Sequence, residues 1–419
     1  MKFSIILLLF INSGCYLNTS ISGLNESSSK IIVETPETGS QPTNPVEKTC
    51  VDSFVPFNTI SASVVIGQVD FTGSSGNQGG SAGANTISGP DGVTLLSNGQ
   101  IYIGEFFNHR YLIFDKIPDT NNVAADRVFG QPDFSTTTAN TGGLSGVSLW
   151  TGRNVAWNGT QFFMDDAINN RVLVWNSLPT SSLINPDFVL GQNTFNTNTN
   201  ASGANGLDSG YGAIFASSNK LFVADTWSNH RILIFDLPIS SNYAAASNVV
   251  GQPDFNSVAS QTTANGFNEP PHAISYNGKL IVADRYNNRV LIFNTVPTVP
   301  NASADVVIGQ PNKTSGVVNQ GGAVNRNTLF APHSVAVDYT GRLYIADTEN
   351  HRVLVFNSIP TVDNAMADYV IGQPNFTTNT ANSGSSPTDK SLNRPTFVAY
   401  GFCHLAIADQ LNNRVLLYK

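Results

Sequence analysis

The sequence predicts an all-β fold: six four-stranded antiparallel sheets set around one axis, the ring sealed by a strand near the N-terminus. Three observations carry this. One pattern recurs six times along the 419-residue chain at intervals of 58–63 residues, marked by Arg110, Arg171, Arg231, Arg289, Arg352 and Arg414. Each copy closes with Gly–Gln, at Gln68, Gln131, Gln192, Gln252, Gln310 and Gln373, so one such pair precedes the first arginine and none follows the last. The apolar stretches between are short and rich in Val, Ile, Phe and Tyr, without a 3.6-residue period. A linear stack has no reason to carry its last strand at its beginning; a closed ring does.

The first residues read as an address. Lys2 precedes a short apolar run, Phe3 to Ile11, too short to span a bilayer, and Asn12-Ser13-Gly14-Cys15 follows. A small residue followed by cysteine resembles a bacterial lipoprotein signal over residues 1–14, with Cys15 as the acylated residue. Asn12 stands where that pattern usually has an aliphatic residue. Residues 15–60 are rich in Ser, Thr, Asn, Glu and Pro and read as a tether. The expected location is therefore the bacterial cell envelope, lipid-anchored at the outer membrane or surface. In an exported chain the two remaining cysteines, Cys50 and Cys403, are candidates for a disulfide that ties the tether to the last repeat.

Residues 61–419 hold the ring. In the fifth copy the strands are SVAVDY (Ser334 to Tyr339), LYIAD (Leu343 to Asp347), RVLVFN (Arg352 to Asn357) and DYVIG (Asp368 to Gly372), the first two joined by a turn at Thr340-Gly341. Short strands recurring at constant spacing describe a six-bladed β-propeller. SVVIG (Ser63 to Gly67) is the expected outermost strand of the sixth blade, beside the chain end.

Charged residues make up 12% of the chain and the net charge is −8. No clustered positive face is evident, so nucleic acid is not an expected partner. A monomer is expected.

The stretch PHSVAVDYTGRLYIADTENHRVLVFN (Pro332 to Asn357) closely resembles the NHL repeat, including the Asn-His-Arg that names that family. Asn108-His109-Arg110 and Asn229-His230-Arg231 repeat it, and the remaining copies have Asn-Asn-Arg. The resemblance recurs in register across residues 61–419. The copies are longer than usual for the family, with the surplus mostly after each Gly–Gln, as in Thr377 to Arg394.

Repetition separates architecture from candidate sites. Asp166, Asp225, Asp284, Asp347 and Asp409, with Glu105 in the first copy, precede the arginine by five or six residues. An acid and a guanidinium flanking one turn are expected to form a bidentate pair that fixes it. Six copies argue against catalysis, and the same holds for His109, His230 and His351.

The starts of the inner strands differ between copies, as a site laid over a scaffold would. They place Asp91, Arg153, Tyr211, His272, His333 and Thr396 at the channel mouth, as ligand candidates or as ordinary channel lining. Pro271-His272 and Pro332-His333 are similar to the Pro-His that supplies zinc ligands in propellers like the peptidyl-hydroxyglycine amidating lyase. That resemblance implies a metal-dependent lyase or hydrolase, with zinc or calcium on His272 and His333 and no clear third ligand. The residues ahead of each Asn-Asn or Asn-His turn include Phe107, Trp227 and Tyr286. These either stack on a glycan or anchor a protein partner, or they pack beneath the long loops. The primary expectation is a non-enzymatic envelope scaffold that binds protein or glycan through its loop-rich face.

Overall fold

A computed structural model of the chain describes residues 60–210 and 212–419. The expected signal, Cys15, the tether up to Thr59, Cys50 and Tyr211 lie outside the described residues.

Six four-stranded antiparallel sheets form the body. Blades one to five run in chain order as Pro90–Phe129, Val155–Leu190, Ile214–Val250, His272–Ile308 and Pro332–Ile371. The sixth is built from Pro395–Gly401, His404–Asp409 and Arg414–Tyr418, completed by Val64–Ile66. In that closing pair Val64 stands opposite Leu417, Val65 opposite Leu416 and Ile66 opposite Val415. The inner strands neighbour one another in chain order, and the sixth neighbours the first. The expected strands of the fifth blade shift by a residue or two: its inner strand is Pro332–Val337 and its outer strand only Tyr369–Ile371.

Both faces of each blade are buried, so the strands read as near-continuous apolar runs while their side chains still alternate. In Lys279–Asp284, Ile281 and Ala283 pack toward blade five, whereas Leu280 and Val282 pack toward blade three. Fully burying one such aliphatic side chain contributes about 1.5–3 kcal/mol.

The repeated polar residues lock the loops to the blades. Arg289 Nε donates to Asp284 Oδ2 at 2.6 Å, while Asp284 Oδ1 accepts from Asn268 N at 2.7 Å. The expected bidentate pair is therefore replaced by a node, because one carboxylate oxygen is needed to hold the chain entering the inner strand. The two terminal nitrogens of Arg289 reach loops on both sides: Nη1 donates to Lys313 O, and Nη2 to Thr263 O and Gly266 O. All six acid–arginine pairs repeat this with fully buried side chains. In the sixth node Arg414 reaches back to Phe71 O, across the chain closure.

The Gly–Gln pairs work alongside. Gln310 Nε2 donates to Asn288 O at 2.9 Å and to Val317 O at 2.8 Å, seven residues onward, and every other copy makes the same reach of seven. The preceding glycines hold φ between 82° and 93°, a region costly for any residue with a Cβ.

A third device explains why His and Asn interchange. His109, Asn170, His230, Asn288, His351 and Asn413 all adopt left-handed backbone conformations. His230 Nδ1 accepts from Glu269 N and His351 Nδ1 from Arg394 N, each at 3.0 Å; Asn288 Oδ1 accepts from Ala331 N at 2.9 Å. Either side chain offers an acceptor at the same reach, and each latches one blade to the next. Burial lowers the pKa of both histidines, which keeps Nδ1 available as an acceptor.

Candidate functional site

The inner strands carry the expected ring, and the pairing shows how. Register skips Asp91 between Pro90 and Gly92, His333 between Pro332 and Ser334, and Thr396 between Pro395 and Phe397. Such a bulge re-aims one side chain, here at the same point in three blades.

Arg153 links these residues across the axis. Its Nε lies 3.0 Å from Asp91 Oδ2 in the adjacent blade, and its Nη2 lies 2.8 Å from His333 Nδ1 in the blade opposite. Asp91 Oδ1 accepts from Gln410 Nε2 at 3.0 Å, Gln410 Oε1 accepts from Arg394 Nη1 at 2.7 Å, and Arg394 Nε donates to Glu349 at 2.8 Å. Thr396 Oγ1 donates to Pro90 O at 3.2 Å. Asp91, Arg153, His272, His333 and Thr396 are all buried. The structure thus brings five of the six expected residues into one buried group, in which Asp91, Arg153 and His333 bond directly and Thr396 binds the backbone of blade one.

His272 does not occupy the position expected for it. It pairs opposite Ala283, the place that Ser334 holds opposite Ala346 in blade five. The contacts agree: Val335 N donates to His272 Nδ1 at 3.3 Å, as Val398 N donates to Ser334 Oγ at 2.8 Å. Pro270 and Pro271 fill the entry to blade four, so its Pro-His pair sits one residue further along than that of blade five. The His272 ring instead lies 4.8 Å from Phe397.

The electrostatics follow from burial around one cation. Burial, then the nearby Arg153 guanidinium, push His272 down to about 3 and hold His333 well below the ordinary imidazole range. Both imidazoles are neutral at physiological pH. The metal expectation fits poorly: His333 Nδ1 faces a guanidinium and His272 Nδ1 a backbone amide. Among the described residues no three His, Cys, Asp or Glu side chains converge where an ion could sit. No metal-dependent step is derived from this site.

Asp165 is the residue that the sequence pattern left unnoticed. Burial pushes its carboxyl well above the ordinary range, against the pull of Arg153, and Oδ2 has no hydrogen-bond partner among the described residues. The signal was present. The position before the node acid is Gly104, Ala224, Ala283, Ala346 and Ala408 in the other five blades, and only the second carries an acid. Gln410 and Arg394 were likewise hidden, because their reach depends on closure of the ring.

Around the same mouth the Asp-to-Arg turns present Phe107, Trp227, Tyr286 and Leu411, each about half exposed. Phe107 covers Gly89 and Trp227 covers Gly210, where an added Cβ would lie 2.5 Å and 2.2 Å from the rings. The Arg285 guanidinium sits 4.6 Å over the Tyr286 ring. Each ring packs on a neighbouring residue and keeps an exposed side, so the packing reading is seen in the structure. Cys403 is disulfide-bonded, while Cys50 lies outside the described residues.

Comparison with known proteins adds the following. The NHL repeat family matches residues 331–356. No curated protein matches the chain. Among solved structures, a protein of unknown function from Bacteroides thetaiotaomicron VPI-5482 is similar at 14% identity and TM-score 0.47, over 85% of this chain and 74% of that one. A streptogramin B lyase is similar at 11% identity and TM-score 0.42, over 80% and 94% of the respective chains. Virginiamycin B lyase from Staphylococcus aureus is similar at 10% identity and TM-score 0.41, over 81% and 97%. The chain is a six-bladed β-propeller, and most of its fifth blade, residues 331–356, matches the NHL repeat.

Proposed function

We propose that this chain is a bacterial envelope lipoprotein, anchored through Cys15, whose propeller is a non-enzymatic scaffold binding a protein or glycan on its loop-rich face. One observation carries the reading: Phe107, Trp227 and Tyr286 stand half exposed at the same turn of three blades, above a channel filled by its own side chains. Fixed aromatic faces lose little entropy on binding and suit both sugar rings and protein anchors. The neighbouring Glu269–Arg285 and Glu349–Arg394 pairs supply polar contacts at the edge of that surface. The direct Asp91–Arg153–His333 connection across the axis favours a structural role for these channel residues over catalysis.

The test is retention of envelope proteins and of envelope glycans by immobilised protein, compared with the Trp227→Ala/Tyr286→Ala double variant. The expected result is loss of the retained partner with the melting temperature unchanged. Equal retention by both proteins overturns the rim as the binding surface. Mass spectrometry of the mature N-terminus tests the anchor, the expected species being an acylated Cys15; an unmodified start removes it.

A further inference from the structure

Every blade fixes one residue of its entering chain at the mouth in the same way. In blade five Phe330 N donates to the node acid, Asp347 Oδ1, at 2.7 Å, while Phe330 O accepts from Glu349 N at 3.2 Å, in the turn between the second and third strands. The same two bonds recur in the other five blades, at Ser88, Trp150, Asp208, Asn268 and Asn393. An entry position and a turn position therefore adjoin at the mouth of each blade, on backbone held from both ends.

Five consecutive blades place one aromatic ring in this pair. The turn supplies it in blades one, three and four, as Phe107, Trp227 and Tyr286. Where the turn residue is Ile168 or Glu349, the entry residue supplies it instead, as Trp150 or Phe330. Trp150 is 39% exposed, close to the three turn rings, and Phe330 is half-buried. Beside four of the five rings the other member of the pair is polar: Ser88, Asp208, Asn268 and Glu349. The centre of the face is the buried Asp91–Arg153–His333 group. The three guanidiniums near His333 each have an acid beside them, Arg153 with Asp91, Arg285 with Glu269 and Arg394 with Glu349.

We propose that this circle of aromatic positions binds a neutral glycan of β-linked pyranoses in the gluco configuration, a choice that rests on the scaffold function proposed above. Such a sugar presents its axial C–H groups as a flat apolar face and its hydroxyls at the edge. That matches a ring with a polar neighbour, amphipathic in the same sense. Five like positions in register suit a polymer of like units, since each further stacked unit binds at high effective concentration. A protein partner anchors instead on a few residues near the centre of an interface, in packed and desolvated pockets. Here the centre is polar and bonded to itself, and the rings surround it. Charges already paired leave no single-sign field to hold a polyanion, and a nucleic acid would need a basic groove beside the rings. The clamped backbone sets the rings before binding, which lowers the entropy lost on association.

The full chain is titrated by calorimetry with cellohexaose and with the N-acetylglucosamine hexamer, with the corresponding dimers, and with hexagalacturonate as the acidic control. The expected result is saturable binding of at least one neutral hexamer, with its dimer and hexagalacturonate at least about tenfold weaker. Trp150→Ala and Trp227→Ala should each weaken hexamer binding about tenfold or more at an unchanged melting temperature, and Trp227→Phe should restore most of it. No binding of either hexamer, equal or tighter binding of hexagalacturonate, or undiminished binding by both alanine variants overturns the proposal. Retention of an envelope protein on the rim, with neither hexamer bound, overturns the glycan and leaves the scaffold function standing. Failure of both retention and hexamer binding overturns the two together.

Discussion

Removing the closing strand is the sharpest test of the ring. The comparison is between chains lacking residues 1–59 and 1–68, because both lack Cys50 and differ only in the strand and its glutamine. Val64, Val65 and Ile66 are almost fully buried, at 4%, 0% and 1% exposure. At about 1.5–3 kcal/mol for each aliphatic side chain, their loss removes about 5–9 kcal/mol as an upper bound. Gln68 also goes, with its bonds to Ser75 O and Asn413 O. Unfolding entropy near 2.1 cal/mol/K per residue, over about 360 residues, amounts to about 0.8 kcal/mol/K. The melting temperature should therefore fall by roughly 6–11 °C, read by circular dichroism at fixed scan rate. Transitions within about 2 °C of each other would refute the argument that the chain ends seal the ring.

Arg289→Ala should cost about 3–5 kcal/mol in urea denaturation, because it leaves Asp284 buried without its cation. Arg127→Ala, which breaks a pair with the half-exposed Asp115, should cost less than about 1 kcal/mol. Acid should weaken the fold through His272: its unfolded form takes up a proton near pH 6.5, while the folded form does so only at about 3. Stability from this group is full above about pH 6.5 and declines as pH falls toward 3, so His272→Gln should flatten the melting-temperature profile across that window. Thiol titration of denatured, unreduced protein should find Cys403 unreactive.

Spacing alone made the blades, the closing strand and the node acids legible, because each repeats in register and a periodic pattern survives without coordinates. The channel residues were legible as a set, since Asp91, Arg153, His333 and Thr396 break the repeat at one position. Their consequence was not. Whether polar groups at a channel mouth form an open pocket or bond to one another depends on distances across the axis, which no local pattern encodes. His272 was misplaced for a local reason: two prolines enter blade four where blade five has one, and matching Pro-His to Pro-His hid a one-residue offset.

The arginine nodes have a consequence for how such a chain can change. Each guanidinium clasps one loop behind it and one ahead, and the sixth finds its forward loop only by meeting the start of the chain. A half-finished array would leave a guanidinium and a carbonyl cradle unmatched at its two ends. Growth or loss by single units therefore meets a penalty until a new circle is completed, whereas lengthening within a loop meets almost none. Variation should collect in the spacers and spare the count.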